Sequence, residues 1–249
     1  MLILVIVAGL LLGTLLNIII IRLPRERNLL RWPLHCTRTG EALVWWQLLP
    51  VVGWLVQRGR SRDGRPLHWI HPVVELLTAL VVTLLYLRYG FVASFFYLVF
   101  VCVVLIITGA IDWLHRSIYT FVILGSALLA MIGSLLLPPA TLTLLEAGLG
   151  ALIGGICFVL LFMLGRILFP SAAVPFGLGD VYLAIFIGSA VGITRLGPSL
   201  FYGILMAGIV SAVIVFAKYI LRRRDMPQYI AYGTYMCLGT ILYIVAWGL

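Results

Sequence analysis

Eight apolar runs, separated by short polar or basic stretches, leave this chain few folds to choose from. They cover roughly residues 1–21, 72–87, 91–111, 118–137, 142–165, 180–194, 198–220 and 229–248. Runs near the ~20 residues needed to cross hydrocarbon must be helical, because only a helix satisfies its own backbone there. Composition agrees: 63% of residues are apolar and 10% charged, against about 25% charged in a soluble domain. The expectation is an all-α, polytopic integral membrane bundle of about eight transmembrane helices, forming a single domain over 1–249. Met1 to Ile21 has no basic start and is long enough to span, so it reads as a retained first helix rather than a cleaved signal.

The net charge of +9 acquires meaning from its distribution. Nine arginines lie between Arg22 and Arg65. Arg116, Arg166, Lys218, Arg222, Arg223 and Arg224 fall on the same side if the 22–71 loop is cytoplasmic, which makes nine plus six, or fifteen; only Arg88 and Arg195 fall on the other. That asymmetry is the positive-inside pattern. It puts the 22–71 loop inside and both chain ends outside. The loop also holds Trp32, Trp45, Trp46, Trp54 and Trp69, an interfacial mixture of aromatic and basic residues, and Leu43 to Val56 can lie on the surface. Nucleic acid is set aside as a partner in favour of the bilayer.

Two acids stand out against this background. Asp112 closes Thr108-Gly109-Ala110-Ile111-Asp112 and Asp180 closes Gly177-Leu178-Gly179-Asp180. Acids beside hydrocarbon are costly and mark function. In the topology above, both lie at the cytoplasmic surface, within a region 91–220. Gly177 and Gly179 support a tight entry into the helix that follows. Asp180 alone reads more readily as a helix N-cap, and Asp112 alone equally as a partner of Arg116. Together they are the equipment of an aspartic hydrolase, in which two carboxylates share one proton.

Other chemistries find less support. His35, His68, His71 and His115 lack a metal-binding spacing, and no GxSxG elbow exists. Cys36, Cys102, Cys157 and Cys237 contain no CxxC pair, so a four-thiolate zinc site is not expected. Glu75, just inside the second span, is expected to pair with an Arg or His, and Glu146 to be interfacial. A proton-coupled small transporter would use acids deep in its spans and internal repeats; neither is evident.

The chain resembles the type IV prepilin peptidase family, GxGD-type aspartic membrane peptidases, over nearly its whole length. Gly9 to Asn17 followed by Arg22-Leu23-Pro24 resembles the opening helix. Trp46-Gln47-Leu48-Leu49-Pro50, Gly53-Trp54 and His71-Pro72-Val73-Val74-Glu75 resemble the loop and second span, and Pro227 to Gly239 the last helix. Asp112 and Asp180 fall at the family's catalytic positions. The resemblance implies cleavage of the basic leader from type IV prepilins or pseudopilins after a Gly, at the cytoplasmic surface of the bacterial inner membrane. It also implies an alternative, a bifunctional peptidase and N-methyltransferase using S-adenosylmethionine. Where the family carries two CxxC pairs, this chain has Cys36, Thr39, Ser61 and Gly64, so zinc is not expected. Tyr182 replaces a common Lys. An inactive assembly homologue would be a third reading, against which both aspartates stand.

Overall fold

The computed structural model describes residues 1–25, 49–60, 67–168, 177–219 and 230–249. Regular structure among these residues is helical, and the chain divides into two compact units, Met1–Phe91 and Val92–Leu249. All eight apolar runs are helices. Five are long and apolar enough to cross a membrane, and three are shorter apolar helices. The protein is an all-α multi-pass membrane protein.

The first unit pairs α1 (Leu2–Arg22) with α3 (Ile70–Tyr89); a 3-10 turn (Leu23–Arg25) follows α1, and the short α2 (Val52–Val56) precedes α3. Gly9 and Gly13, four apart, face the partner helix. A Cβ on Gly9 would lie 2.8 Å from Ala79 Cα, and one on Gly13 would lie 2.6 Å from Glu75 Cα. Small residues at this spacing let two backbones approach within hydrocarbon. The contact buries Glu75, whose carboxylate accepts hydrogen bonds from Asn17 Nδ2 at 3.1 Å, Thr14 Oγ1 at 3.2 Å and the Val51 N–H at 2.7 Å. The expected Arg or His partner is therefore replaced, among the described residues, by neutral donors. Val51 adopts φ 58°, a strained conformation for a β-branched residue, and the bond to Glu75 holds it there.

The second unit is built from α4 (Ala93–His115), α5 (Thr120–Ser134), α6 (Leu144–Leu168), α7 (Leu178–Val191), α8 (Ile193–Tyr219) and α9 (Tyr232–Trp247). Helix α7 packs against α5, α6, α8 and α9. Ten of its fourteen residues are buried, from Asp180 to Val191, as expected for a helix apolar on every side. Gly150 of α6 meets Gly188 of α7 backbone to backbone, and Gly154 meets the Ala184 carbonyl. Gly203 of α8 and Gly239 of α9 meet in the same manner. The hydroxyl of Tyr97 in α4 donates to the Ala190 carbonyl at 3.0 Å, tying α4 to the end of α7. The opposite surface of α8, with Phe201, Ile204, Ile209 and Val213, is exposed and suits lipid.

Helix ends follow local chemistry. Thr143 and Glu146 form a capping box at the start of α6: the Thr143 N–H donates to Glu146 Oε2 at 2.9 Å, and the Glu146 N–H to Thr143 Oγ1 at 3.2 Å. Glu146, expected to be interfacial, thus has a capping role as well. Helix α8 begins at Ile193, five residues before the sequence-based start, and carries Pro198 inside it. Helix α4 continues a turn past the expected end at 111, because Trp113, Leu114 and His115 extend it until Arg116 takes a left-handed conformation at φ 51°.

Candidate active site

Asp112 lies in the last turn of α4 and Asp180 in the first turn of α7. Both are buried, at 6% and 8% exposure, so neither is a solvated surface acid. Sixty-eight positions separate them in sequence (180 minus 112), yet they are close enough that the charge of Asp112 acts on Asp180. The two carboxylates expected from sequence to share a site are brought into one locality.

Each carboxylate is held by a backbone amide at the start of a helix. Asp180 Oδ2 accepts from the Gly177 N–H at 2.9 Å, and the Asp180 N–H donates to the Gly177 carbonyl at 3.1 Å. Asp180 is therefore an N3 residue reaching back to the N-cap, not the N-cap itself. Asp112 Oδ2 accepts from the N–H of Thr234 at 2.7 Å and from its hydroxyl at 3.1 Å. These donors belong to the first turn of α9, where amides lack an intrahelical acceptor. Arg116, the partner expected for Asp112, supplies a positive charge nearby, and its N–H closes α4 onto the Asp112 carbonyl at 2.8 Å.

Ile118 joins the two halves of the site. A Cβ built on Gly179 would lie 2.9 Å from Ile118 Cβ, and one built on Gly233 would lie 3.0 Å from both Ile118 Cδ1 and Asp112 Oδ2. The segment leaving α4 is thereby wedged between the starts of α7 and α9. The two motif glycines differ. Gly179 makes the close approach, whereas Gly177 has φ −88° and a Cβ there would meet only ordinary contacts at 3.8 and 3.9 Å among the described residues. Buried Cys237, one turn into α9, feels both aspartates, and Tyr232 feels Asp180.

Ile118, Gly233 and Thr234 were not singled out by the sequence. The faint signal was a Gly-Thr pair just inside an apolar run, where a hydroxyl and a free amide are available to a neighbour. Cys36, Thr39, Ser61 and Gly64, with Trp32, Trp45, Trp46 and His35, lie outside the described residues. Among the described residues no cluster of three or more His, Cys, Asp or Glu could hold a metal ion. Besides Asp112 and Asp180, the buried carboxylate among them is Glu75. Its oxygens are occupied by Thr14, Asn17 and Val51.

Comparison with known proteins gives a consistent result. Residues 7–89 match the bacterial peptidase A24 N-terminal domain, and residues 98–216 match the type IV leader peptidase family. A prepilin leader peptidase/N-methyltransferase of Xanthomonas campestris pv. campestris is 28% identical over 267 residues, covering 96% of this chain and 89% of the relative. A protein of the same name from Bacillus subtilis is 23% identical, covering 88% and 85%. A type 4 prepilin-like proteins leader peptide-processing enzyme of Escherichia coli O78:H11 is 29% identical, covering 75% of each. No solved structure gives a significant match.

Proposed function

Since the chain belongs to the type IV leader peptidase family, we propose that it is a prepilin leader peptidase in which Asp112 and Asp180 form the catalytic dyad. The observation that carries this reading is that two buried carboxylates stand at the end of α4 and the start of α7, with Ile118 packed against both Gly179, beside Asp180, and Gly233, beside Asp112 Oδ2. One carboxylate takes a proton from water, whose oxygen attacks the scissile carbonyl carbon. The other, protonated, hydrogen-bonds the carbonyl oxygen. As the C–N bond breaks, a proton passes to the leaving amine. Proteolysis by this route uses no cofactor.

The substrates are prepilins or pseudopilins, cut after the Gly that ends a short basic leader. The whole of 1–249 serves as one membrane peptidase, with 91–220 carrying both aspartates and 22–71 forming a basic, Trp-rich cytoplasmic loop. The asymmetry of Arg and Lys supports an inner-membrane location with the site facing the cytoplasm. The buried position of both acids at helix ends, rather than in mid-span, favours hydrolysis over proton-coupled transport.

The names of relatives support a second reading, in which the enzyme also methylates the new N-terminal amine with S-adenosylmethionine. One experiment tests both. A prepilin is incubated with membranes carrying wild type, Asp112→Asn or Asp180→Asn, and the product's N-terminal mass is measured. Cleavage after the leader Gly by wild type alone is expected, and a further 14 Da (~one CH2) on the new amine would report methylation. Substantial cleavage by either variant would overturn the dyad.

A further inference from the structure

We propose that Thr234 is a positioning residue for Asp112, fixing Oδ2 so that Oδ1 is the atom that exchanges protons during cleavage; this rests on the dyad reading above. Both polar groups of Thr234 reach the same oxygen, the N–H at 2.7 Å and the hydroxyl at 3.1 Å. A carboxylate oxygen offers two lone-pair sites. Two donors from one residue therefore occupy Oδ2, and Oδ1 is the oxygen that this contact leaves for proton exchange. The N–H belongs to the first turn of α9, so the bond draws nothing away from the helix.

The hydroxyl has a second acceptor. Thr234 Oγ1 lies 3.0 Å from the Gly109 carbonyl, one turn before Asp112 on α4. Its single hydrogen can point to only one of the two. While Asp112 is ionised, the charged oxygen is the stronger acceptor. When Asp112 is neutral, the hydrogen can turn to Gly109, and no buried hydroxyl is left unsatisfied. One rotating hydrogen thus serves both charge states of the acid, and the carboxyl keeps its rotamer through a catalytic cycle. Thr234 is itself buried, at 7% exposure, so water is a poor substitute. Asp180 is held differently: among the described residues its Oδ2 accepts from the Gly177 N–H at the start of its own helix.

The test compares Thr234→Val, Thr234→Ala and Thr234→Ser in the purified full-length protein, with a prepilin substrate and Asp112→Asn alongside. Val and Ala retain the N–H and lose the hydroxyl. Loss of a hydrogen bond to a charged group predicts a fall in kcat of about ten- to hundred-fold for both, with KM within about twofold. Ser restores the donor and is expected within about threefold of wild type. Unchanged kcat in Val and Ala, with Asp112→Asn inactive, would overturn the positioning role and leave the dyad standing. A loss in Val but not Ala, or a loss that Ser fails to rescue, would mean shape rather than the hydroxyl and would equally overturn it. An active Asp112→Asn would remove the dyad itself.

Discussion

Ile118 sits so close to Gly179 that a single methyl group on the glycine would lie 2.9 Å from the Ile118 branching carbon. That carbon is fixed to its backbone and cannot swing aside, so the start of α7 would have to move, carrying Asp180 with it. Gly179→Ala is expected to lower cleavage at least tenfold, since displacements of a fraction of an ångström at a reacting group are costly. Gly177→Ala, where the backbone is extended and the nearest contacts are ordinary, is expected to stay within about threefold of wild type. Measured rates for the two variants check the contrast; equal losses would remove Ile118 as the cause.

A second glycine acts on the other acid. A Cβ on Gly233 would lie 3.0 Å from Asp112 Oδ2, directly against the oxygen that Thr234 holds. Gly233→Ala is expected to reduce kcat by about tenfold while the protein inserts and melts normally. An Ile118→Val change, made in the same background, should recover part of the loss by giving the start of α9 room to shift.

Glu75 supports a prediction about stability alone. Its two oxygens accept from Thr14, Asn17 and Val51; without them Thr14 keeps the Leu10 carbonyl and Asn17 the His71 carbonyl, but the Val51 N–H and one Asn17 N–H lose their acceptor. Glu75→Ala is expected to cost about 3 kcal/mol, and Glu75→Gln, which keeps one acceptor oxygen, about 1 kcal/mol. Thermal melting in detergent measures both. Limited proteolysis should show faster cutting within residues 49–60 in the Ala variant, because the anchor of Val51 is lost.

Metal removal gives a fourth test. With Cys36 as the one cysteine of the 22–71 loop, one thiolate cannot hold a tetrahedral zinc ion. Incubation with a strong chelator is expected to leave cleavage within about twofold, and Cys36→Ser to leave melting unchanged. Loss of activity that added zinc restores would contradict this.

The spans were legible in the sequence because a membrane helix announces itself by length and apolarity, independent of its neighbours. The start of α8 was placed too late because Pro198 reads as a first-turn residue, whereas Gly192, at φ 78°, already turns the chain and Ile193 opens the helix five residues before that proline. Asp112 and Asp180 were visible as isolated acids in apolar surroundings. Thr234 was not, since its importance arises from a partner 122 positions away. Likewise, Glu75 was visible as a buried acid, but its neutral partners depend on the close contact between α1 and α3, which no local pattern specifies.

The three shorter helices bear on how water reaches the bond to be cut. Helix α7 has fourteen residues, α5 fifteen and α9 sixteen, so they rise about 21, 22 and 24 Å, against a hydrocarbon slab of about 30 Å. Such a mismatch is relieved by local thinning of the bilayer or by hydration of the helix ends. Asp180 stands at one of those ends. A substrate delivered to that end of α7 would meet its hydrolytic water without either of them having to cross the full depth of the membrane.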